Sequence, residues 1–189
     1  MNNLLNYIRS LTTFSDENWE KLQPALVKKK FNKNELLLKE GQVCNSLFYI
    51  DTGYCKSYYE IDGNVKNTEL FFENEIATNV TSFGSGLKSK YNIIACEPIV
   101  SIVFNKDKLF EISRQSAEIE GLGRICLRQF ATKQEEFSVI FKLYTAKERF
   151  EYIEAYYPHI LQRVSLSQLS TFLGVTRETL SRIRKRRIS

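Results

Sequence analysis

The sequence has few of the residues that build metal, disulfide or catalytic sites. It contains one histidine, His159, and four cysteines. The cysteines lie far apart, without a C-x-x-C pair, at Cys44, Cys55, Cys96 and Cys126. This spacing indicates neither a zinc site nor a disulfide framework. We interpret the cysteines as small buried hydrophobic residues and expect no metal ion or cofactor.

Long apolar runs are also missing. No segment approaches the roughly 18 apolar residues of a membrane span, and the start, MNNLLNYIRS, lacks the apolar stretch of a signal peptide. We therefore expect a cytoplasmic protein without a membrane partner. The single histidine and the lack of a full-length nucleotide-binding glycine motif argue against an enzyme, and no catalytic residue is predicted.

Positive charge is concentrated at the carboxyl end. Residues 165–189 hold six cations and one anion, Glu178, whereas the other 164 residues balance at 21 of each sign. The six cations are Arg177, Arg182, Arg184, Lys185, Arg186 and Arg187. A basic patch confined to one end predicts a localised polyanionic partner, either nucleic acid or an anionic membrane surface.

Short β-rich runs dominate the chain between Phe31 and Phe104. These runs are Leu36–Leu38, Leu47–Ile50, Tyr58–Tyr59, Leu70–Phe72, Ile93–Ala95 and Ile99–Phe104. Turn signals separate them at Glu40-Gly41, Thr52-Gly53, Asp62-Gly63 and Glu97-Pro98. Short strands at this spacing predict a compact antiparallel β-roll.

A long helix is predicted over residues 116–144. Its stripe has the spacing of a heptad seam with one stutter and consists of Ile119, Leu122, Cys126, Phe130, Lys133, Phe137, Ile140 and Tyr144. Pairing with a second copy of the chain is the simplest way to cover so narrow a stripe. The alternative is that the β-roll alone covers it.

The segment SLSQLSTFLGVTRETLSRIRK fits a helix-turn-helix. Its apolar positions are spaced so that two crossing helices share one small core: Leu169, Leu173, Val175, Leu180 and Ile183. Gly174 suits the tight turn and Thr176 can cap the second helix. His159, just after Pro158, is expected on a connecting loop.

The outward face of that second helix is the candidate site. It presents Thr176, Arg177, Glu178, Ser181, Arg182, Arg184 and Lys185. Arginine can bond two acceptors of guanine and glutamate can accept from cytosine, so Arg177, Glu178 and Arg182 are predicted to read bases. The later cations, from Arg184 to Arg187, are predicted to contact phosphates. A solvated charged face without a partner is the alternative.

GVTRETLSRIRK resembles the recognition element of the CRP/FNR family of bacterial transcription regulators, whose R-E-x-x-x-R pattern is matched by Arg177, Glu178 and Arg182. The β-roll, including EGQVCNSLFYIDTGYCKSYY, is similar to that family's cyclic-nucleotide-binding-type sensor domain. The resemblance implies an α+β chain with a sensor domain (1–112), a dimerisation helix (113–145) and a helix-turn-helix DNA-binding domain (146–189). It also implies a homodimer that reads an inverted repeat in double-stranded DNA and meets RNA polymerase.

Three features depart from the family. Cyclic-nucleotide binders carry G-E-[LIV] and a later arginine, whereas this chain has Glu75 after Asn74 and only Lys88 and Lys90 further on. Lysine cannot reproduce a two-pronged grip on phosphate, so we expect no cyclic AMP or cyclic GMP binding of the usual kind. Glu75, Lys88 and Lys90 are the candidate ligand-binding residues for a different effector. Residues 1–43 hold no cysteine for an iron–sulfur cluster.

The third departure is the end of the sequence. The family's wing, a β-hairpin after the recognition helix, has no residues beyond Ser189 to form it. We expect an incomplete wing, with the terminal basic residues making some of its backbone contacts. The sequence thus predicts a homodimeric regulator controlled by an unidentified small-molecule effector. The alternative is a ligand-binding or scaffold module whose basic tail contacts RNA or an anionic membrane.

Overall fold

The computed structural model describes residues 1–185 of the chain. Arg186 and Arg187, two of the predicted phosphate contacts, lie outside these residues. The helices are α1 (Asn2–Leu11), α2 (Asp16–Leu22), α3 (Val80–Ser85), α4 (Lys106–Ser113), α5 (Ala117–Leu143), α6 (Ala146–Tyr156), α7 (Pro158–Arg163), α8 (Leu166–Leu173) and α9 (Arg177–Lys185). The strands are β1 (Leu26–Phe31), β2 (Leu36–Leu38), β3 (Ser46–Thr52), β4 (Cys55–Ile61), β5 (Asn64–Phe71), β6 (Ile76–Ala77), β7 (Asn92–Ala95) and β8 (Ile99–Asn105).

The strands form two four-stranded sheets, which confirms the predicted antiparallel β-roll. One has the order β1-β8-β3-β6 and the other β2-β7-β4-β5. In the first sheet, β8 lies between two antiparallel partners, with Phe104 opposite Leu26 on one side and Leu47 on the other. All six predicted β-rich runs lie in or overlap strands, because short apolar runs bounded by turn residues are typical of sheet-forming segments.

Strand β1 is an edge of its sheet and carries three consecutive lysines. Lys28, Lys29 and Lys30 are all exposed. Lys28 lies 3.4 Å from the largely buried carboxylate of Asp51 on β3. Charged side chains on an edge strand hinder pairing with another chain.

The chain divides into two compact units. The first comprises Met1–Glu60 and Thr68–Leu127, and the second comprises Ile61–Asn67 together with the chain from Arg128 onward. The division into a sensor domain, a dimerisation helix and a DNA-binding domain stays a prediction. The second unit thus includes the tip of the β4–β5 hairpin.

The core of the first unit joins both ends of its sequence. Buried members of this core are Leu4, Ile8, Phe14, Leu22, Leu26, Tyr49, Ile102, Phe104, Ile119 and Leu122. Ile119 and Leu122 belong to the stripe of the long helix, so the chain itself covers the beginning of that stripe. A second copy of the chain would have only the later residues of this stripe available for packing.

The beginning of α5 is fixed by polar contacts to α2. The Glu118 carboxylate accepts hydrogen bonds from the backbone N–H and the hydroxyl of Ser15, both at 2.9 Å. These bonds lower the pKa of Glu118, because they stabilise its charged form. Ser15 is itself the N-cap of α2 and accepts from Asn18 N–H. One serine therefore ties the two helices together.

The long helix is confirmed within one residue at each end, as Ala117–Leu143. The prediction of a loop at His159 is wrong, because His159 lies in α7, which begins at Pro158. Proline has no N–H and a helical φ, so it suits the first position of a helix as well as the residue after one. None of the helices within residues 1–185 combines the length and the apolar character needed to cross a bilayer.

Gly53 provides a stability test of the β-roll. Gly41 and Gly53 both have positive φ, but only Gly53 is crowded: an added Cβ would lie 2.5 Å from the Pro98 carbonyl oxygen. Gly41→Ala should cost about 1 kcal/mol from backbone conformation alone. Gly53→Ala should cost about 3 kcal/mol or more, because backbone must also move. Chemical denaturation of both variants checks this; equal losses would contradict it.

Candidate nucleic-acid interface

Helices α8 and α9 form the predicted helix-turn-helix. Ser165 caps α8 by accepting from Gln168 N–H at 3.3 Å. Gly174 ends α8 with φ +69°, and the next N–H, of Val175, returns to the Ser170 carbonyl at 3.0 Å. This is a glycine-ended helix of the kind that lets the chain turn sharply into a second helix.

The two helices share a small apolar core. Leu169, Leu173 and Leu180 are essentially completely buried, whereas Val175 and Ile183 are half-buried. Thr176 caps α9 by accepting from Thr179 N–H at 3.2 Å. The predicted core, turn and cap are therefore all present, and they fix which face of α9 points outward.

Arg149 on α6 links α8 to the end of α5. Its guanidinium donates to the carbonyls of Leu173 (3.0 Å), Phe141 (2.8 Å) and Tyr144 (3.1 Å). It also lies 5.2 Å from the centre of the Phe141 ring. The sequence analysis missed this residue, since an arginine in an amphipathic helix gives no sign that it will bond carbonyls of two other helices.

An aromatic cluster also packs against α8 through Phe172. Phe172 contacts Phe137 and Phe141 edge to face, with ring centres 5.8 and 5.9 Å apart. Tyr157 contacts Phe137 and donates to the Glu136 carboxylate at 2.9 Å. Tyr152 donates to the same carboxylate, which raises the pKa of Tyr152 to about 12. Close-packed rings of this kind hold α8 in one position.

The residues predicted to contact DNA are brought together on α9. Thr176, Arg177, Glu178, Arg182, Arg184 and Lys185 are exposed and Ser181 is half-buried. Spacings of three and four residues place Arg177, Ser181 and Lys185 beside Glu178 and Arg182 on one side of the helix. The buried Leu180 lies on the opposite side.

Two charged groups of this face are held by hydroxyls. Arg182 donates to the Thr179 hydroxyl at 3.4 Å. Hydrogen bonds from its own backbone N–H and from Thr176, together with the nearby Arg177 and Arg182, lower the pKa of Glu178. Glu178 is thus ionised at neutral pH and can only accept hydrogen bonds, as readout of cytosine requires.

The three candidate ligand residues of the β-roll are not brought together in the same way. The Glu75 carboxylate accepts from Phe72 N–H at 2.8 Å and so closes its own turn. Lys88 is exposed and forms an isolated bridge with Val43, while Lys90 is exposed in a bend. Their roles in ligand binding stay a prediction.

Polar side chains between Glu75 and Lys90 bond to one another inside the first unit. Asn79 caps α3 by accepting from Ser82 N–H at 3.0 Å and donates to the Ser89 hydroxyl at 2.9 Å. The Ser82 hydroxyl accepts from Cys44 N–H at 2.8 Å. All four residues are buried. These polar side chains are therefore already hydrogen-bonded to other groups of the chain.

Residues 28–116 match the cyclic nucleotide-binding domain family. The global regulator CLP of Xanthomonas campestris, described as c-di-GMP responsive, is similar with a TM-score of 0.71 and 13% identity, over 91% of both chains. FixK2 of Bradyrhizobium japonicum has a TM-score of 0.69 and 16% identity, over 85% of this chain and 83% of that one.

A third solved structure, a transcriptional regulator of the crp/fnr family from Eubacterium rectale, has a TM-score of 0.70 and 11% identity, over 91% of this chain and 82% of that one. No curated protein matches the sequence significantly. At these identities the likeness establishes a shared fold.

Cyclic nucleotide binding is testable by calorimetry. The candidate site lacks an arginine and its neighbouring polar groups are already bonded, so cyclic AMP and cyclic GMP are expected to bind with dissociation constants of about 1 mM or weaker. Titration of each nucleotide into the protein measures this. A micromolar constant would overturn this expectation.

Proposed function

We propose that this chain, a cyclic nucleotide-binding domain joined to a helix-turn-helix on the CRP/FNR fold, is a sequence-specific DNA-binding transcription regulator. The observation that carries the proposal is the exposed face of α9, with Arg177, Glu178, Arg182 and Lys185 on a helix fixed by its cap and core. Such a helix fits the major groove of B-DNA, where arginine and glutamate distinguish base pairs.

Base contacts and phosphate contacts are expected from different parts of α9. Arg177 and Glu178 lie in the first turn, the part of a recognition helix that reaches base edges. Arg182 begins the last turn and lies four residues after Glu178, on the same side of the helix. Arg184 and Lys185 lie in the last turn, where cations meet both phosphates and the negative end of the helix dipole. The first group would supply specificity and the second affinity.

We further propose that the regulator is a homodimer paired through α5. Leu127 lies in the middle of α5 and is 57% exposed, and pairing with a second copy would bury it. Gly123, Leu127, Phe130 and Gln134 follow at spacings of four, three and four, which is a heptad pattern. This seam is rotated from the predicted one, because the first unit already buries Ile119 and Leu122.

Two copies would then present two α9 helices to successive major grooves of an inverted repeat, about 34 Å apart. A small-molecule effector other than classically bound cyclic AMP would act through the β-roll. The protein would act in the cytoplasm, where it would meet RNA polymerase. A sedimentation mass of two chains is the measurement that tests the dimer.

Binding to different polyanions distinguishes a DNA-binding regulator from a module whose basic tail contacts RNA or an anionic membrane. The protein should retard a duplex DNA of random sequence and bind more tightly to duplexes selected from a random pool. It should not sediment with phosphatidylserine vesicles at the same ionic strength, because Val175, Leu180 and Ile183 offer too little apolar area for interfacial binding. Preference for vesicles, or for duplex RNA of equal length, would overturn the proposal.

Two alanine variants separate base reading from phosphate contact. Arg177→Ala should weaken binding to the selected duplex by about 1–3 kcal/mol and relax base preference at one position of each half-site. Lys185→Ala should weaken binding to all sequences alike and lower the slope of log affinity against log salt by about one. Affinity measured on selected and random duplexes over a salt series distinguishes them. The same uniform effect from both variants would contradict base reading by Arg177.

A further inference from the structure

The tip of the β4–β5 hairpin belongs to the unit that contains the helix-turn-helix. Residues Ile61–Asn67 form one compact unit with the chain from Arg128 onward. The connection is a pair of hydrogen bonds from Asn67, whose partners lie 101 and 104 residues further along the chain. A strand of the roll thereby supplies a side chain to the first helix of the DNA-binding motif.

Asn67 is bonded to the first turn and the middle of α8. Its side-chain amide donates to the Gln168 carbonyl at 3.0 Å and to the Thr171 hydroxyl. That hydroxyl in turn donates to the Gln168 carbonyl at 3.0 Å. Asn67 is only 5% exposed. The three groups form a closed polar triangle, in which Asn67 is buried and Gln168 and Thr171 are half-buried.

The other half of the Asn67 amide has no partner. Its carbonyl oxygen is buried and accepts no hydrogen bond from any group within residues 1–185. An unsatisfied buried acceptor destabilises a fold by about 1–3 kcal/mol, whereas an apolar side chain of the same shape carries no such penalty. Fold stability alone therefore does not favour asparagine at this position.

We propose that Asn67 is a positioning residue for DNA recognition, a role that rests on the proposed function. By bonding Gln168 and Thr171, it fixes the rotation and height of α8. Helices α8 and α9 are in contact, and Leu169, Leu173 and Leu180 are all buried. A shift of α8 would therefore move α9. Base contacts require placement within about 0.5 Å, which makes a single hydrogen-bonded triangle important for affinity.

Replacing Asn67 with leucine separates positioning from stability. Asn67→Leu removes the donor and the unpaired acceptor together, leaving the Thr171 hydroxyl bonded to Gln168. The melting temperature should therefore stay within about 2 °C of the original. Affinity for a duplex selected from a random pool by the original protein should fall about tenfold. Asn64→Ala, at the exposed start of β5 in the same hairpin, is the matched control and should keep full affinity.

A double-mutant cycle identifies the partner. Thr171→Val should also weaken binding, Thr171→Ser should retain it, and the Asn67→Leu/Thr171→Val double variant should bind no more weakly than the poorer single variant. Additive losses would show that the two residues act independently and would overturn the inference. A large fall in melting temperature for Asn67→Leu would also overturn it, since the role would then be structural.

Amide hydrogen exchange distinguishes failure of the inference about Asn67 from failure of the proposed DNA-binding function. Without DNA, Asn67→Leu should speed exchange in Leu166–Leu173 and leave β3 and β8 unchanged. If the original protein binds no DNA but Asn67→Leu speeds exchange in α8, the proposed regulator function is wrong and the positioning of α8 by Asn67 is supported. If the original protein binds DNA and Asn67→Leu binds equally well, the inference fails and the function stands.

Discussion

The guanidinium of Arg149 is the contact on which the geometry of the candidate interface depends. Helix ends leave carbonyls without partners, and the ends of α5 and α8 come together beside one side chain that can donate to both. Only arginine has enough donors in a rigid fork to serve three carbonyls at once. The turn at Gly174, the packing of Leu180 and the outward face of α9 all follow from where α8 ends.

Patterns that repeat along the chain were predictable, and contacts between distant residues were not. The β-roll, α5 and the helix-turn-helix follow from apolar periodicity and turn residues, which report local structure. Arg149 and Asn67 gave no such signal. Arg149 bonds three backbone carbonyls and Asn67 bonds one together with the Thr171 hydroxyl, all distant along the chain or in other elements, and a backbone carbonyl looks the same in every sequence. His159 was misplaced because proline is compatible with both the end and the beginning of a helix.

The long helix shows how one apolar stripe can serve several surfaces. Sequence periodicity identified Ile119, Leu122 and Phe137 as members of a single seam, since all lie on one side of an ideal helix. In the structure the first two complete the core beneath the roll, whereas Phe137 joins the aromatic cluster with Phe172. Periodicity gives the direction of an apolar side chain, but it does not say which neighbour it meets.

The lysines on β1 have a consequence for the molecule in a crowded cell. An edge strand offers a row of unpaired backbone groups to any extended peptide that approaches it. Three adjacent ammonium groups repel a second copy of the same strand, and a strand that added here would bring them close together. Lys28, Lys29 and Lys30 thus disfavour association of two copies of the chain through this edge of the sheet.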